Sequence, residues 1–221
     1  KYPIVMVQYS GPNSQQVLDR FGVDWYYAFA QQGYIVASVD GRGTGARGEV
    51  FRKQTYLNLG IFESDDQIAA ARYFSSLPYI DSERIGIWGW SYGGYNVLMS
   101  MSRGNGVFKA GVAIAPVTDW RFYDSIYTER FMRTPQQNSS GYDKGSAIKL
   151  ADKLQGDLLL IHGTADDNVH VQNVMEYSRA LIKANKQFDM FYFPDKNHFI
   201  TGDNSRLYLY NKVIDFYKKN L

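Results

Sequence analysis

Residues 89–93 read Gly-Trp-Ser-Tyr-Gly, and the chain on either side of them decides the predicted fold. The run Arg84–Trp88 predicts a strand directly before this stretch, and Tyr92–Ser102 predicts a helix directly after it. G-x-S-x-G between a strand and a helix is typical of a nucleophile elbow, a tight turn that exposes a serine hydroxyl at the top of a sheet. The glycines leave room for neighbouring segments. We therefore predict that Ser91 is a nucleophile.

Strands and helices alternate along the rest of the chain. Strands are predicted at Ile4–Tyr9, Tyr34–Val39, Arg84–Trp88, Lys109–Ala115, Leu158–Ile161 and Phe188–Phe193. Helices are predicted at Val17–Gln32, Ser64–Leu77 (with Ser64 as its cap), Tyr92–Ser102, Val171–Ala184 and Ser205–Lys218. This order predicts a doubly wound, mostly parallel sheet flanked by helices, and with the elbow it predicts an α/β-hydrolase fold over residues 1–221. Residues 119–156 are the expected insertion or cap.

Composition limits the classes of function. The 221 residues carry a formal charge of +2 with scattered basic groups, so nucleic-acid binding is not expected. Cysteine is absent, which excludes disulfides, thiol catalysis and thiolate metal sites, and we expect neither a metal nor a cofactor. No apolar run is long enough to span a membrane. The chain enters a strand-like run at Lys1, which predicts further protein upstream.

A serine nucleophile needs a base, and in this fold the order along the chain is serine, acid, histidine. The chain has three histidines. His162 precedes any suitable acid, and we expect a structural role for it at a strand end. His170 follows the acidic loop too closely to come from a separate strand. His198 lies in the loop after Phe188–Phe193 and is the predicted base.

The acid is expected in the loop after the preceding strand, where Asp166 and Asp167 are adjacent. Either carboxylate could accept the imidazole N–H and stabilise the imidazolium. The other interpretation of each is a cap for the helix near Val169. We expect one aspartate in each role, and the spacing leaves open which has which.

An oxyanion hole needs donors aimed at the developing negative charge. The backbone N–H of Tyr92 is the expected first donor. The second is expected from residues 9–12, where the Tyr9 hydroxyl is a candidate. The chain has 18 tyrosines, and spacing alone favours the interpretation that Tyr9 is an ordinary residue at the end of a strand.

Gly43–Gly48 matches the G-x-G-x-x-G pattern of dinucleotide-binding turns. The residues after it do not form an apolar-faced helix that begins at the glycines. Glu63, Asp65 and Asp66 begin a helix, whereas the ribose-binding acid follows a strand. We therefore predict a loop near the rim of the active site rather than a dinucleotide site.

Four segments together resemble the prolyl oligopeptidase family of serine peptidases, in its dipeptidyl peptidase IV branch. They are DGRGTG at 40–45, GWSYGGY at 89–95, APVTDWRFYDSIYTERFM at 115–132 and HGTADDNVH at 162–170. The resemblance covers essentially the whole chain and suggests a bacterial member. It implies that Asp166 is the catalytic acid, that Asn168 holds the substrate backbone, and that the Tyr9 hydroxyl completes the oxyanion hole.

The resemblance also implies a proline-sized pocket built by Tyr92, Val117, Trp120, Tyr123, Tyr127 and Val169. Trp120, Tyr123 and Tyr127 are spaced as one face of a helix, a stripe that more often packs a core. As a pocket, aromatic walls suit a flat apolar ring with no polar group left unpaired.

The activity implied is release of N-terminal dipeptides with penultimate proline or alanine from peptides with a free amino terminus. The family also implies an upstream β-propeller that grips this amine, a homodimer, and an extracytoplasmic, periplasmic or cell-surface location. Alternatives on the same fold are an acylaminoacyl peptidase, an oligopeptidase or a carboxylesterase. A catalytically dead adhesion or assembly domain is disfavoured because Ser91, Asp166 and His198 are all present.

Overall fold

A computed structural model describes all residues, 1–221, and contains one six-stranded sheet in the order β2-β1-β3-β4-β5-β6. Every neighbouring pair is parallel. The strands are β1 Tyr2–Val7, β2 Ile35–Ala37, β3 Ile80–Trp90, β4 Ala110–Ile114, β5 Asp157–Gly163 and β6 Asp189–Phe193. The helices are α1 Tyr27–Ala30, α2 Glu49–Arg52, α3 Ile61–Ser75, α4 Tyr92–Arg103, α5 Ser125–Met132, α6 Ser139–Lys144, α7 Gln172–Lys183 and α8 Ser205–Asn220. The predicted α/β-hydrolase fold is confirmed.

Apolar side chains cover both faces of the sheet. On β1, Ile4 and Met6 join a core cluster that includes residues of α3, α4 and α7. Val5 and Val7 point to the other face and join a cluster that includes residues of α8. This alternation explains why the central strands are apolar almost without interruption. No helix is long and apolar enough to cross a membrane.

The predicted helix Val17–Gln32 is wrong over most of its length, because only Tyr27–Ala30 is helical. The Asp40 carboxylate accepts the backbone N–H groups of Gln16 and Val17, which holds the start of this segment in a non-helical path. Phe21 remains largely exposed, so the apolar residues here do not form a core-facing stripe.

The N-terminus of α3 also differs from the prediction. The helix begins at Ile61 with Gly60 as the N-cap residue, in the left-handed region at φ 85°. Glu63, rather than Ser64, supplies the capping carboxylate, which accepts the Gly60 N–H at 2.9 Å. The Ser64 hydroxyl instead donates to the Gly60 carbonyl.

The expected insertion, 119–156, contains α5, α6 and two 3-10 turns, Trp120–Phe122 and Ile148–Lys153, and lies between β4 and β5. Trp120 and Tyr142 are both buried in the larger core cluster. The insertion is therefore part of the packed domain.

Candidate active site

The candidate site lies at the carboxyl edge of the sheet, where loops after parallel strands converge. Tyr9 follows β1, Ser91 follows β3, Val117 follows β4, Asp166 follows β5, and His198 follows β6. Residues that are far apart in the chain are thus brought to one edge by topology alone.

Ser91 has a strained backbone, with φ 60° and ψ −118°, between β3 and α4. A Cβ on Gly89 would lie 2.2 Å from the Gly93 backbone, and one on Gly93 would lie 2.6 Å from the Gln8 carbonyl oxygen. Only glycine fits both positions without moving backbone. Glycine is therefore required at the two outer positions of G-x-S-x-G because neighbouring backbone lies so close, as the sequence predicts.

The predicted acid and base are in contact. His198 Nδ1 lies 2.8 Å from Asp166 Oδ2, and both side chains are buried. Asp166 Oδ1 accepts the backbone N–H groups of Asn168 at 3.0 Å and Val169 at 2.9 Å. Neither aspartate caps α7, whose N-cap residue Val171 has no side-chain cap bond, so the expectation of one aspartate in each role is wrong. Asp167 is exposed and points elsewhere.

Two histidines bind the Asp166 carboxylate. Burial alone would raise its pKa, but hydrogen bonds from His162 and His198 outweigh burial and hold the pKa well below its usual range. His162 Nε2 lies 3.3 Å from Asp166 Oδ2 and 2.7 Å from the Val169 carbonyl oxygen. His162 therefore stabilises the loop that carries Asp166, which is a structural role at a strand end. Asp166 remains an anion that can orient an imidazole.

The loop that carries His198 is attached to the elbow. The Trp90 indole N–H donates to the His198 carbonyl oxygen at 3.0 Å. The Arg206 guanidinium lies 4.5 Å from the Trp90 ring centroid and covers that ring. No hydrogen bond joins Ser91 to His198, and such bonds commonly tighten only when substrate binds. Trp90 was not among the predicted site residues, although its place directly before the nucleophile was a signal.

A buried polar network fixes the loop of Tyr9. Gln8 Nε2 donates to the Gly93 carbonyl at 2.8 Å, while Gln8 Oε1 accepts from Ser10 at 2.8 Å and Asn96 at 3.1 Å. The Tyr9 ring lies 6.1 Å from the Tyr92 ring, centroid to centroid. Burial raises the pKa of Tyr9, so its hydroxyl stays protonated and can donate.

Four of the predicted pocket residues, Tyr92, Val117, Trp120 and Val169, are buried in the larger core cluster, and the other two, Tyr123 and Tyr127, pack against it. The Trp120 ring lies 5.4 Å from Tyr92, 6.0 Å from Tyr123 and 6.0 Å from Tyr127, between centroids. Tyr123 and Tyr127 are 5.4 Å apart in an edge-to-face arrangement. Mutual packing of this kind stabilises rings beyond their buried area.

These aromatic residues do not share a helix, so the helical stripe suggested by their spacing is wrong. Trp120 begins a 3-10 turn, Tyr123 is extended, and Tyr127 lies in α5. Asp119 and Asp124 each cap the turn or helix that follows, and their caps start two short elements where the spacing suggested one.

Asn168 lies at the exposed rim of the cluster. Its Oδ1 accepts the Tyr123 hydroxyl at 2.7 Å. Because this bond uses the side-chain oxygen, the amide nitrogen is the group left to donate to a bound molecule.

The Gly43–Gly48 segment is a loop, as predicted. The Gly43 carbonyl and the Gly45 N–H bond to Asn13 and Ser14, in the loop that follows Tyr9. Asp66 binds the Arg42 side chain at 2.6 Å, so this carboxylate is engaged in holding the glycine loop against α3.

The chain is similar to known proteins of one family. The model of the prolyl oligopeptidase family matches residues 21–221. The crystal structure of Porphyromonas gingivalis dipeptidyl peptidase 4 superposes with a TM-score of 0.98 at 64% identity, covering 100% of this chain and 31% of that one. This bacterial match agrees with the expected origin.

Two curated relatives extend the comparison. "Probable dipeptidyl-aminopeptidase B" of Pyrenophora teres f. teres is 48% identical over 96% of this chain and 24% of its own length. "Prolyl endopeptidase FAP" of Mus musculus is 43% identical over 99% of this chain and 29% of its own length. The chain spans less than a third of each of these relatives. The family match covers most of the chain, and the chain belongs to the prolyl oligopeptidase family of serine hydrolases, with dipeptidyl peptidase IV-like relatives.

Proposed function

We propose that this domain catalyses serine-type release of N-terminal dipeptides with proline or alanine in the penultimate position. The observation that carries the proposal is the Asp166–His198 hydrogen bond of 2.8 Å at the sheet edge that also presents Ser91. A charged, buried acid beside a histidine is the arrangement that activates a serine.

In the proposed reaction, Ser91 Oγ attacks the carbonyl carbon of the scissile bond while His198 Nε2 takes its proton. Asp166 holds the imidazole through Nδ1 and stabilises the imidazolium. The Tyr92 N–H and the Tyr9 hydroxyl donate to the oxyanion. His198 then returns the proton to the leaving amine as the peptide bond breaks. In deacylation, His198 takes a proton from the water that attacks the acyl carbon and returns it to Ser91 Oγ as the ester bond breaks.

The pocket supports the choice of substrate. The rings of Tyr92, Trp120 and Tyr127 pack together in one apolar cluster, and we infer that a pyrrolidine ring or an alanine methyl group would pack against this cluster. The Asn168 amide nitrogen is positioned at the rim to donate to a substrate carbonyl. These features favour a peptidase over a general carboxylesterase.

We propose that parts of the whole protein outside these residues bind the amino terminus of the substrate. We infer an upstream β-propeller with acidic groups for the substrate amine, a homodimer, and a location outside the cytoplasm. All three rest on the family resemblance, and the relatives with dipeptidyl peptidase names are longer proteins.

The test is a substrate panel with a labelling control. We expect the full-length protein to cleave Gly-Pro amides faster than acetyl-Gly-Pro amides and simple esters. A phosphonate should label Ser91, and Ser91→Ala should lose both labelling and roughly 10⁴-fold or more of kcat, because nucleophile and base act as a unit. Labelling that persists in Ser91→Ala contradicts the nucleophile. Preference for the acetylated amide would assign the acylaminoacyl alternative.

A further inference from the structure

The buried carboxyl of Glu63 has no cationic partner within salt-bridge distance. Glu63 is fully buried in the first turn of α3. Its Oε1 accepts the Tyr92 hydroxyl at 2.6 Å, and its Oε2 accepts the Gly60 N–H at 2.9 Å. An unpaired buried carboxyl is costly, so its position calls for a reason beyond capping, which Gln could also provide.

The partner of this carboxyl is the residue directly after the candidate nucleophile. The Tyr92 ring faces Trp120 at 5.4 Å and Tyr9 at 6.1 Å, and thus forms the pocket wall between the aromatic cluster and the second oxyanion donor. The hydroxyl is the only polar atom of the ring, and Glu63 is its hydrogen-bond acceptor. The hydrogen bond to Glu63 therefore restrains the orientation of the Tyr92 ring.

We propose that Glu63 is a positioning residue for the specificity pocket, acting through the Tyr92 hydroxyl to hold the wall against which the penultimate side chain packs. This proposal rests on the proposed function. Glu63 does not touch substrate or the reacting atoms, and its effect is on selection of the acyl group. Short bonds to an ionised oxygen are stronger and more directional than neutral ones, so the charge sharpens the position of the ring.

The surroundings of Glu63 leave this charge uncompensated. Tyr92 and Tyr95 face it from α4, Tyr127 from α5, and Asp66 from its own helix. The two nearby arginines are engaged, since Arg42 pairs with Asp66 and Arg103 pairs with Asp65. Burial, with a smaller contribution from Asp66, raises the pKa of Glu63 to about 7 despite its hydrogen bonds. The wall is consequently held most firmly above neutral pH.

The experiment compares Glu63→Gln, Tyr92→Phe and the double variant in the full-length protein. Three rates are measured for each: kcat/KM for a Gly-Pro amide, kcat/KM for p-nitrophenyl acetate, and labelling of Ser91 by a fluorophosphonate. We expect Glu63→Gln to lose about tenfold on the proline amide, mainly through KM, with less than about twofold change in the other two rates. Tyr92→Phe should lose about as much on the proline amide, because it removes the same hydrogen bond. The double variant should lose no more than Tyr92→Phe, because one bond is removed in both cases.

The control is Glu49→Gln, which removes an exposed carboxylate paired with Arg52 and Lys53 on α2 and should change none of the three rates. Equal losses on all three, or additive losses in the double variant, would overturn the positioning role. The pH profile gives a second readout: the ratio of amide to ester kcat/KM should rise near pH 7 in the wild type and be flat in Glu63→Gln. A wild type that fails to cleave the Gly-Pro amide would instead refute the proposed function.

Discussion

At the residue scale, the two adjacent aspartates give the clearest contrast. Asp166→Asn keeps an oxygen for the backbone N–H groups of Asn168 and Val169 but removes the charge beside His198. We expect kcat to fall by roughly 10³- to 10⁴-fold, because the imidazole loses its preferred tautomer and its counter-charge. Asp167→Asn is the matched control and should retain activity. Steady-state kinetics with thermal melts check both, and the reverse ranking would transfer the acid role to Asp167.

Glu63 provides a prediction about stability and pH. Its folded pKa, about 7, lies above the reference value of 4.5, so between these values the folded state holds a proton that the unfolded state has released. Unfolding then releases a proton, and the free energy of unfolding falls as pH rises from about 4.5 to about 7, by at most about 3 kcal/mol. Glu63→Gln should lose this slope. Denaturant titrations of both proteins from pH 5 to pH 8 measure it, and parallel pH dependences would contradict the raised pKa.

The sequence could not distinguish such residues by type alone. Asp166 and Asp167 follow the same strand, and only the turn that binds Asp166 Oδ1 to two backbone N–H groups directs its other oxygen to His198. Glu63 reads as an ordinary acid at a helix N-terminus, and its link to Tyr92 crosses from α3 to α4. Tertiary contact, rather than local pattern, assigns both.

At the element scale, the hydrophobic pattern of the sequence predicted the buried strands more accurately than the segments at the surface. Buried parallel strands such as β5 must be apolar on both faces, and this constraint is visible in the sequence as Leu158–Ile161. The segment Val17–Gln32 had helical spacing, but bonds from its backbone to Asp40 determine its path. The members of the aromatic cluster were implied by the family resemblance. The spacing of Trp120, Tyr123 and Tyr127 predicted one helix, which is wrong because the caps at Asp119 and Asp124 start two separate elements.

The aromatic cluster supports a prediction about selectivity. Tyr127 packs on Trp120, Tyr123 and Phe131 and is only half-buried. Tyr127→Ala should lower kcat/KM for proline amides more than for small esters, since the ester has no ring to bury in the pocket. Removing a packed aromatic side chain commonly costs ~3–5 kcal/mol, so thermal melts accompany the kinetics. Equal losses on both substrates at unchanged stability would exclude a selective pocket.

At the scale of the whole molecule, the proposed recognition of a free amino terminus is the property that these residues do not explain. A dipeptidyl peptidase needs carboxylates that hold a charged amine at a fixed distance from the nucleophile, because that distance selects the bond to be cut. Four acids of this domain are already engaged with other partners. Asp65 and Asp66 pair with arginines, Glu63 binds Tyr92, and Asp166 binds His198.

We therefore expect the isolated domain, residues 1–221, to cleave weakly and to distinguish little between Gly-Pro and acetyl-Gly-Pro amides. The full-length protein should strongly prefer the free amine, because a clamp outside these residues would bind it and position the scissile bond. The measurement is kcat/KM for both amides on both proteins. Phosphonate labelling of Ser91 in the isolated domain is the control that its site has formed. If the isolated domain is labelled and still strongly prefers the free amine, the clamp lies within this chain, and exposed Asp167 beside Asn168 becomes the first carboxylate to replace.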